Sequence, residues 1–318
     1  MSLLTEGLVE RGMDVTLFAT ADSETAARLE SVCPRPLGED PSLDPKVWES
    51  LHIANAFDHA GEYDLIHNHY DFLPLTYAGL VDTPVVTTIH GFSSDRILPV
   101  YERYDKRVSY VSISDADRRP SLTYAATVYH GIDLDEFTPR DRPGDYLVFF
   151  GRIHADKGVA EAIALARRVR MRLVIAGLIQ DDDYFRREVA PHVDGDAVRY
   201  VGNVGPAERD ELLGNAYALV HLVTFAEPFG LSMVEAMACG TPVIGRRLGS
   251  VAEVVDEGVT GFVVDRADDA VGAVERVASL DRRAVRARCA ERFSRDRMVD
   301  DYLRVYDAVL ASERTPSR

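Results

Sequence analysis

Two glutamates, Glu227 and Glu235, bracket the string EPFGLSMVE in the second half of the chain. The first four residues have the composition of a turn, and the rest predict a helix that begins directly after it. The start of a helix carries unpaired N–H groups and a partial positive charge, so the backbone of Phe229, Gly230 and Leu231 can hold an anion. Gly230 has no Cβ and lets a ligand approach closely. Glu235 falls about one turn into the helix, where its carboxylate can accept hydrogen bonds from a sugar diol.

Histidines form a second group of candidates. His90 ends a predicted buried strand beside Gly91, which is where an active-site residue of a parallel sheet would lie. His67 and His69 share one face of a shorter strand, but no third metal ligand lies near them in the sequence, so the pair favours residues at a strand end over a metal site. The acidic run 181–183 precedes a predicted helix and favours N-capping over metal binding.

The elements that must position these residues alternate between strand and helix. Short, β-branched strands are predicted at 14–19, 65–67, 85–90 and 108–113, and a second series of strands and helices runs from 146 to 264. Such strands are typical of parallel sheets covered on both faces. The sequence therefore predicts an α/β protein with two Rossmann-like, doubly wound domains facing a cleft, with ligands at the carboxyl ends of the strands.

Domain boundaries follow from local composition. The segment TPRDRPGD, rich in proline, glycine and charge, predicts a linker near 140. We expect an acceptor-side domain over 1–140 and a donor domain over 141–294. A final helix over 295–312 either packs on the second domain or crosses back to the first.

Composition excludes several classes of protein. The 318 residues include 36 Lys and Arg against 52 Asp and Glu, which gives a net charge of −16. This charge argues against nonspecific nucleic-acid binding and against a protein held on anionic lipid by overall charge, although a local basic patch for peripheral membrane contact stays open. The three cysteines are widely spaced, which fits a reducing cytoplasm, and neither a signal peptide nor an apolar run of membrane-spanning length is found.

Five segments together resemble one known family. The stretch 227–245 is similar to the paired-glutamate signature of the retaining family-four glycosyltransferases of the GT-B fold. The segments FFGRIHADKG at 149–158, VYHGIDLDEF at 128–137 and TTIHG at 87–91 resemble other motifs of that family, in the same order, as do GSVAE and GVTGF over 249–262. His130 stands where the family usually has asparagine. The resemblance covers nearly the whole chain.

The resemblance implies roles for particular residues. Glu227 would contact the hydroxyl groups of the donor sugar, Glu235 the ribose, and His90 the transferred sugar. Gly151 belongs to the family's Gly-Arg…Lys-Gly loop, and the donor pocket would further be lined by Gly177 and, through backbone groups at the base, by Asn203 and Val204.

The charge of the implied substrate agrees with this resemblance. A nucleotide sugar carries two phosphate charges, and its leaving group gains negative charge as the glycosidic bond breaks. Arg152 and Lys157 follow a predicted strand and can converge on one diphosphate, with the anion-binding residues Phe229, Gly230 and Leu231 opposite them. Two cations and a helix N-terminus would make a metal ion or other cofactor unnecessary.

The resemblance therefore implies a retaining, metal-independent glycosyltransferase that uses a nucleotide diphosphate sugar and an unidentified acceptor. A sugar-nucleotide epimerase of the same fold and a non-catalytic nucleotide-sugar-binding protein are the alternatives. The sequence has no G-x-G-x-x-G after a strand, no P-loop and no G-x-S-x-G, so an oxidoreductase, a P-loop nucleotidase and a serine hydrolase are disfavoured.

The start of the sequence is unusual for this family. The chain opens in a predicted helix over 2–10, whereas family members begin with a strand and a Gly-rich loop. We expect a longer form, beginning about 20–25 residues upstream, to be more stable and more active, because the absent strand would be central in its sheet.

Overall fold

The computed structural model describes residues 2–313. Its strands are β1 (Thr16–Phe18), β2 (Arg28–Glu30), β3 (Ile66–Asn68), β4 (Val85–Ile89), β5 (Val108–Ser112), β6 (Tyr124–Thr127), β7 (Tyr146–Phe150), β8 (Arg172–Ala176), β9 (Val198–Tyr200), β10 (Ala218–His221), β11 (Val243–Arg246) and β12 (Gly261–Val264). Its α-helices are α1 (Ser2–Glu10), α2 (Pro45–Asp58), α3 (Leu98–Tyr104), α4 (Val159–Val169), α5 (Asp182–Tyr184), α6 (Pro206–Gly214), α7 (Leu231–Ala238), α8 (Val251–Val254), α9 (Ala270–Val277), α10 (Arg282–Phe293) and α11 (Arg295–Glu313).

Two compact units divide the described chain. The first unit contains the residues up to Ile113, the segment Arg118–Gly131 and the residues from Arg295 onward; the second contains Ser114–Asp117 and Ile132–Ser294. Helix α11 thus belongs to the first unit, where it packs against α1. The second unit begins before the boundary near 140 that composition predicts. The proline- and glycine-rich segment lies inside this unit because the backbone N–H of Arg140 donates to Cys239 and its carbonyl accepts from Arg282.

The first unit is built on a parallel four-stranded sheet in the order β3-β4-β5-β6. Side chains alternate between its two faces, as they must along a strand. Val86 and Val111 pack with leucines of α1 and the apolar side chains of α11, whereas Val85 and Tyr110 pack with α2 and the Leu73–Leu80 turn on the opposite face. Both faces are therefore covered, and α1 and α11 form one of the two layers.

Strands β1 and β2 form a separate two-stranded sheet. Among the described residues, no strand lies between β1 and β3 to join this small sheet to the four-stranded sheet. The expectation of a further central strand upstream stays a prediction.

The second unit contains a parallel six-stranded sheet in the order β12-β11-β10-β7-β8-β9. Along the chain, β7, β8 and β9 follow one another toward one edge of the sheet, and β10, β11 and β12 follow one another toward the other edge. The strand order reverses between the neighbours β7 and β10, and loops at such a point diverge and leave room for a ligand. The loops after β7 and β10 carry the lysine and the first glutamate of the predicted site.

Among the described residues, every helix is either too short or too polar to cross a lipid bilayer.

Candidate functional site

Lys157 and Glu227 meet at the point where the sheet of the second unit reverses its strand order. Lys157 ends the 3-10 turn Ala155–Lys157 after β7, and Glu227 lies in the loop after β10. The Lys157 Nζ atom is 2.7 Å from Glu227 Oε2. Gly158 makes the turn with a φ of +77°, and a Cβ there would lie 2.0 Å from the carbonyl oxygen of Leu222. Glycine at this position therefore allows the loop after β7 to pack directly on β10.

Glu227 is a buried carboxylate, only 6% exposed. Its backbone is fixed by Gly249, which forms a bridge with it, and by the N–H of Ser250, which donates to its carbonyl. Burial acts to raise the pKa of Glu227, but the imidazole of His221 and the ammonium of Lys157 outweigh that effect and hold the pKa below its ordinary value. The side chain is therefore ionised and is a strong acceptor of hydrogen bonds at neutral pH.

The start of α7 completes this part of the site. Gly230 precedes the helix with a φ of +83°, a conformation that glycine adopts without strain. The side chain of Phe229 is buried edge-on against Phe293, whereas Leu231 is 45% exposed. Thus, Phe229 anchors the turn in the core, and α7 begins four residues after Glu227, with the first N–H groups of the helix lacking a partner within it.

Glu235 lies in the middle of α7 and is bound by Arg209. The Arg209 Nη1 atom is 3.0 Å from Glu235 Oε1, and its Nη2 atom is 2.7 Å from Glu136 Oε2. Burial raises the pKa of Glu235 to about 7 although Arg209 opposes this shift. Glu235 therefore changes charge near neutral pH, and sequence reasoning did not identify its arginine partner.

Gly151 and Gly177 lie at the carboxyl ends of β7 and β8. A Cβ on Gly177 would lie 1.8 Å from the carbonyl oxygen of Gly151, and both residues have positive φ. The two glycines thus let neighbouring strand ends approach closely. Arg152 follows Gly151, is exposed and donates to Gln180. Within residues 2–313 it forms no ion pair, so of the two predicted cations only Lys157 is joined to a glutamate of the site.

Asn203 and Val204 follow β9 at the edge of the sheet. Asn203 is exposed. Val204 lines a groove of about 650 Å³ with Leu212 of α6 and with Asp145 and Arg172, which lie at the amino ends of β7 and β8. No other predicted donor residue lines this groove. The proposed contact of the backbone at 203–204 with a base stays a prediction.

His90 lies in the first unit, directly after β4, and is the exposed member of a histidine cluster. Its Nε2 atom is 2.9 Å from His69 Nδ1, and its ring stacks on His130 at 5.2 Å between centroids. Desolvation of the rings by the protein packed around them lowers the pKa of His90 to about 4 and, with the nearby charge of His90, that of His130 to about 3. The imidazoles are therefore neutral at physiological pH, so that each can both donate and accept a hydrogen bond.

His67 is occupied by protein contacts on both ring nitrogens. Its Nδ1 atom is 2.6 Å from the hydroxyl of Tyr306 and its Nε2 atom is 2.8 Å from Thr88 Oγ1. These contacts make His67 a structural link between β3, β4 and α11.

The prediction that the acidic run 181–183 caps a helix is confirmed, because the carboxylate of Asp181 accepts a hydrogen bond from the backbone N–H of Tyr184 and so caps α5.

Besides Arg209, His221 is a residue of the site that the sequence did not predict. It ends β10, is 5% exposed, and its Nε2 atom lies 3.4 Å from Glu227 Oε2. A polar residue at the carboxyl end of an otherwise apolar buried strand was the available signal.

A cation, a buried carboxylate and a helix start that meet at the switch point of a parallel sheet can together hold an anionic, hydroxyl-bearing ligand. Together with the parallel sheet of the first unit, this arrangement is that of a GT-B-type glycosyltransferase. Residues 133–293 match the family described as Glycosyl transferases group 1, and residues 2–136 match Glycosyltransferase Family 4. The chain belongs to the glycosyltransferase group 1 family and is a transferase enzyme.

Curated relatives support the same assignment. The chain is 30% identical to the D-inositol 3-phosphate glycosyltransferase of Pseudarthrobacter chlorophenolicus, over 82% of this chain and 76% of that protein. It is 29% identical to the glycogen synthase of Mycobacterium tuberculosis, over 81% of this chain and 72% of that protein.

Solved structures show the same fold. The sucrose-phosphate synthase of Thermosynechococcus elongatus has a TM-score of 0.75 at 20% identity, covering 97% of this chain and 92% of the other. The Anabaena protein HepE, solved in complex with UDP and glucose, has a TM-score of 0.74 at 19% identity, covering 96% and 95%.

Proposed function

We propose that this chain transfers a sugar from a nucleotide diphosphate sugar to a hydroxyl-bearing acceptor, with retention of anomeric configuration and without a metal ion. The roles of the donor residues and of His90 that the sequence predicts belong to this proposal.

The observation that carries the proposal is the Lys157–Glu227 pair beside the start of α7. Lys157 is 15% exposed in its side chain and Glu227 is 7% exposed, and they are joined at 2.7 Å. The ammonium can face a phosphate while the carboxylate accepts from a sugar hydroxyl. In a sugar diphosphate, the phosphate is attached to the anomeric carbon and the nearest hydroxyl group to the next ring carbon. One ligand can therefore engage both Lys157 and Glu227.

Charge supports the absence of a metal from the proposed mechanism. As the glycosidic bond breaks, negative charge develops on the diphosphate. Lys157, the exposed Arg152 of the same loop and the N–H groups at the start of α7 supply fixed positive charge for it.

Retention is proposed through attack on the same face from which the diphosphate leaves. The acceptor oxygen forms a bond to the anomeric carbon, the bond from that carbon to the diphosphate oxygen breaks, and the acceptor proton passes to the departing phosphate. No protein nucleophile is required, and neutral His90 would donate to or accept from sugar hydroxyls.

The relatives bear on the donor more than on the acceptor. HepE is solved with UDP and with UDP-glucose. One relative is named for D-inositol 3-phosphate and another for glycogen, so their names point to no common acceptor. A uridine nucleotide sugar is therefore the first donor to test, and the acceptor is to be found by screening. The cytoplasm stays the proposed location, in keeping with three buried free cysteines.

The test is incubation with UDP-, GDP- and ADP-sugars and an acceptor panel, followed by mass spectrometry and by NMR of the anomeric linkage. We expect a glycoside of unchanged anomeric configuration, formed equally with and without EDTA. Lys157→Met should reduce turnover by at least about a hundredfold, while the exposed control Arg283→Met should not.

Other outcomes identify other functions. Conversion of the donor without an acceptor would identify an epimerase, and binding without turnover would identify a non-catalytic binding protein. An inverted product would contradict the proposed stereochemistry, and loss of turnover in EDTA would contradict metal independence.

A further inference from the structure

A buried histidine lies beneath the proposed sugar-binding glutamate. His221 ends the central strand β10 and is opposite Gly245 in the register of β10 and β11. Its Nε2 atom is 3.4 Å from Glu227 Oε2, and no described residue forms a hydrogen bond with this nitrogen. A buried ring nitrogen without a hydrogen-bond partner is unfavourable, and this indicates that the nitrogen has a partner in another state of the site.

The two oxygens of Glu227 are in different situations. Oε2 faces both Lys157 Nζ, at 2.7 Å, and His221 Nε2, at 3.4 Å. Oε1 is not bonded to any residue that the structure describes. One oxygen is therefore held by the protein, and the other is available to a ligand.

Once a donor is bound, Lys157 has two possible anionic partners. It pairs with Glu227 in the structure, and its proposed partner in the reaction is the diphosphate. As Lys157 turns toward the phosphates, Glu227 Oε2 loses its cation while still buried. A buried carboxylate requires a replacement donor.

We propose that His221 is that replacement: a positioning residue whose Nε2–H donates to Glu227 Oε2 in the donor complex and keeps Oε1 directed at the sugar. This inference rests on the proposed function.

The surroundings of His221 favour the required tautomer. The hydroxyl of Ser232 is 3.5 Å from His221 Nδ1, where it can donate and so leave the proton on Nε2. A Cβ at position 230 would lie 2.5 Å from Met233 Cε, 3.3 Å from Glu227 Cγ and 3.4 Å from His221 Nε2. A side chain at this position would therefore crowd both groups, and glycine avoids that crowding.

The test compares a nucleotide with and without its sugar. Calorimetry would measure the binding of UDP and UDP-glucose, GDP and GDP-mannose, and ADP and ADP-glucose, and the pair that the wild-type chain binds best would be used with His221→Leu, His221→Asn and His221→Gln. The amide nitrogen of glutamine reaches the position of Nε2, whereas that of asparagine reaches only Nδ1.

We expect His221→Leu and His221→Asn to lower the affinity for the sugar nucleotide about tenfold, as for one hydrogen bond to a charged group. Affinity for the sugar-free nucleotide should be unchanged. His221→Gln should restore sugar-nucleotide binding to within about threefold of wild type, and His192→Gln serves as the matched control elsewhere in the unit.

An equal loss of affinity for the nucleotide and for the sugar nucleotide in all three variants would show that His221 only supports the fold, and it would overturn the inference. Wild-type affinity in all three would overturn it as well. If the wild-type chain bound no nucleotide of the panel, or gained nothing from the sugar, the proposed function would fall first and the inference with it.

Discussion

The Nδ1 atom of His67 and the hydroxyl of Tyr306 are 2.6 Å apart although the two residues are separated by 239 positions in the chain. His67 lies on β3 and Tyr306 on α11. A second contact, between Thr88 Oγ1 and the hydroxyl of Tyr302 at 2.8 Å, joins the same helix to β4. Helix α11 is thus joined by hydrogen bonds to β3 and β4, the strands that end directly before His69 and His90.

Tyr306→Phe should destabilise the first unit. The ring still fills its place, but the buried Nδ1 atom of His67 loses its partner, at a cost of about 1–3 kcal/mol. The measurement is the free energy of unfolding in urea. The exposed neighbour Asp307→Asn should change it by less than about 0.5 kcal/mol. Equal stability of Tyr306→Phe and wild type would show that the hydrogen bond contributes nothing.

Lys157 and Glu227 should be coupled in stability but not in activity. Lys157→Met leaves the Glu227 carboxylate buried without its cation, which costs about 3–5 kcal/mol when the partner of a buried pair is removed. The double variant Lys157→Met with Glu227→Gln removes the buried charge and should recover most of that loss in urea unfolding. Turnover should stay low in both. Recovery of transfer in the double variant would contradict the assigned roles.

Sugar-nucleotide binding should depend on pH through Glu235, whose pKa is raised to about 7. The ionised carboxylate is the stronger acceptor for a ribose diol, so affinity for UDP-glucose should rise about fivefold between about pH 6 and about pH 8. The folded state also holds the Glu235 proton more tightly than the unfolded chain. The contribution of this residue to stability is therefore present below the unfolded pKa and is lost as pH rises through about 7.

Glu235→Gln is the control for that dependence. The amide does not titrate, so calorimetry at both pH values should give one affinity. A pH dependence that survives in this variant would assign the effect to another group.

Gly177→Ala should disrupt the second unit, because the new Cβ would lie 1.8 Å from the carbonyl oxygen of Gly151. Gly195 offers a matched comparison: its φ is +84° and a Cβ there meets nothing within 4 Å. Gly195→Ala should cost only the backbone strain, about 1–2 kcal/mol. Thermal melting of both variants measures the difference, and equal melting temperatures would show that the Gly151–Gly177 approach is readily relaxed.

Sequence patterns predicted the parallel elements of the second unit closely. The predicted series of strands and helices over 146–264 coincides with β7 to β12 and the helices between them, and α7 begins directly after the predicted turn, because these elements are short apolar runs with clear stops. The turn before α7 was predicted because glycine and proline act locally. In the first unit, β2, β6 and α2 were not predicted. The strands β2 and β6 are short and partly exposed, and the exposed face of α2 carries Val47 and Leu51, so no regular polar face marks it.

The sequence by itself determined the alternation of strands and helices, the family and the candidate residues, since local periodicity and motif spacing are properties of the chain. Only the tertiary structure decided where α11 lies, that Arg209 binds Glu235, and that His221 lies beneath Glu227. Each of these contacts joins residues brought together by strand order and helix packing, and side-chain burial and charge pairing exist only after those elements have assembled.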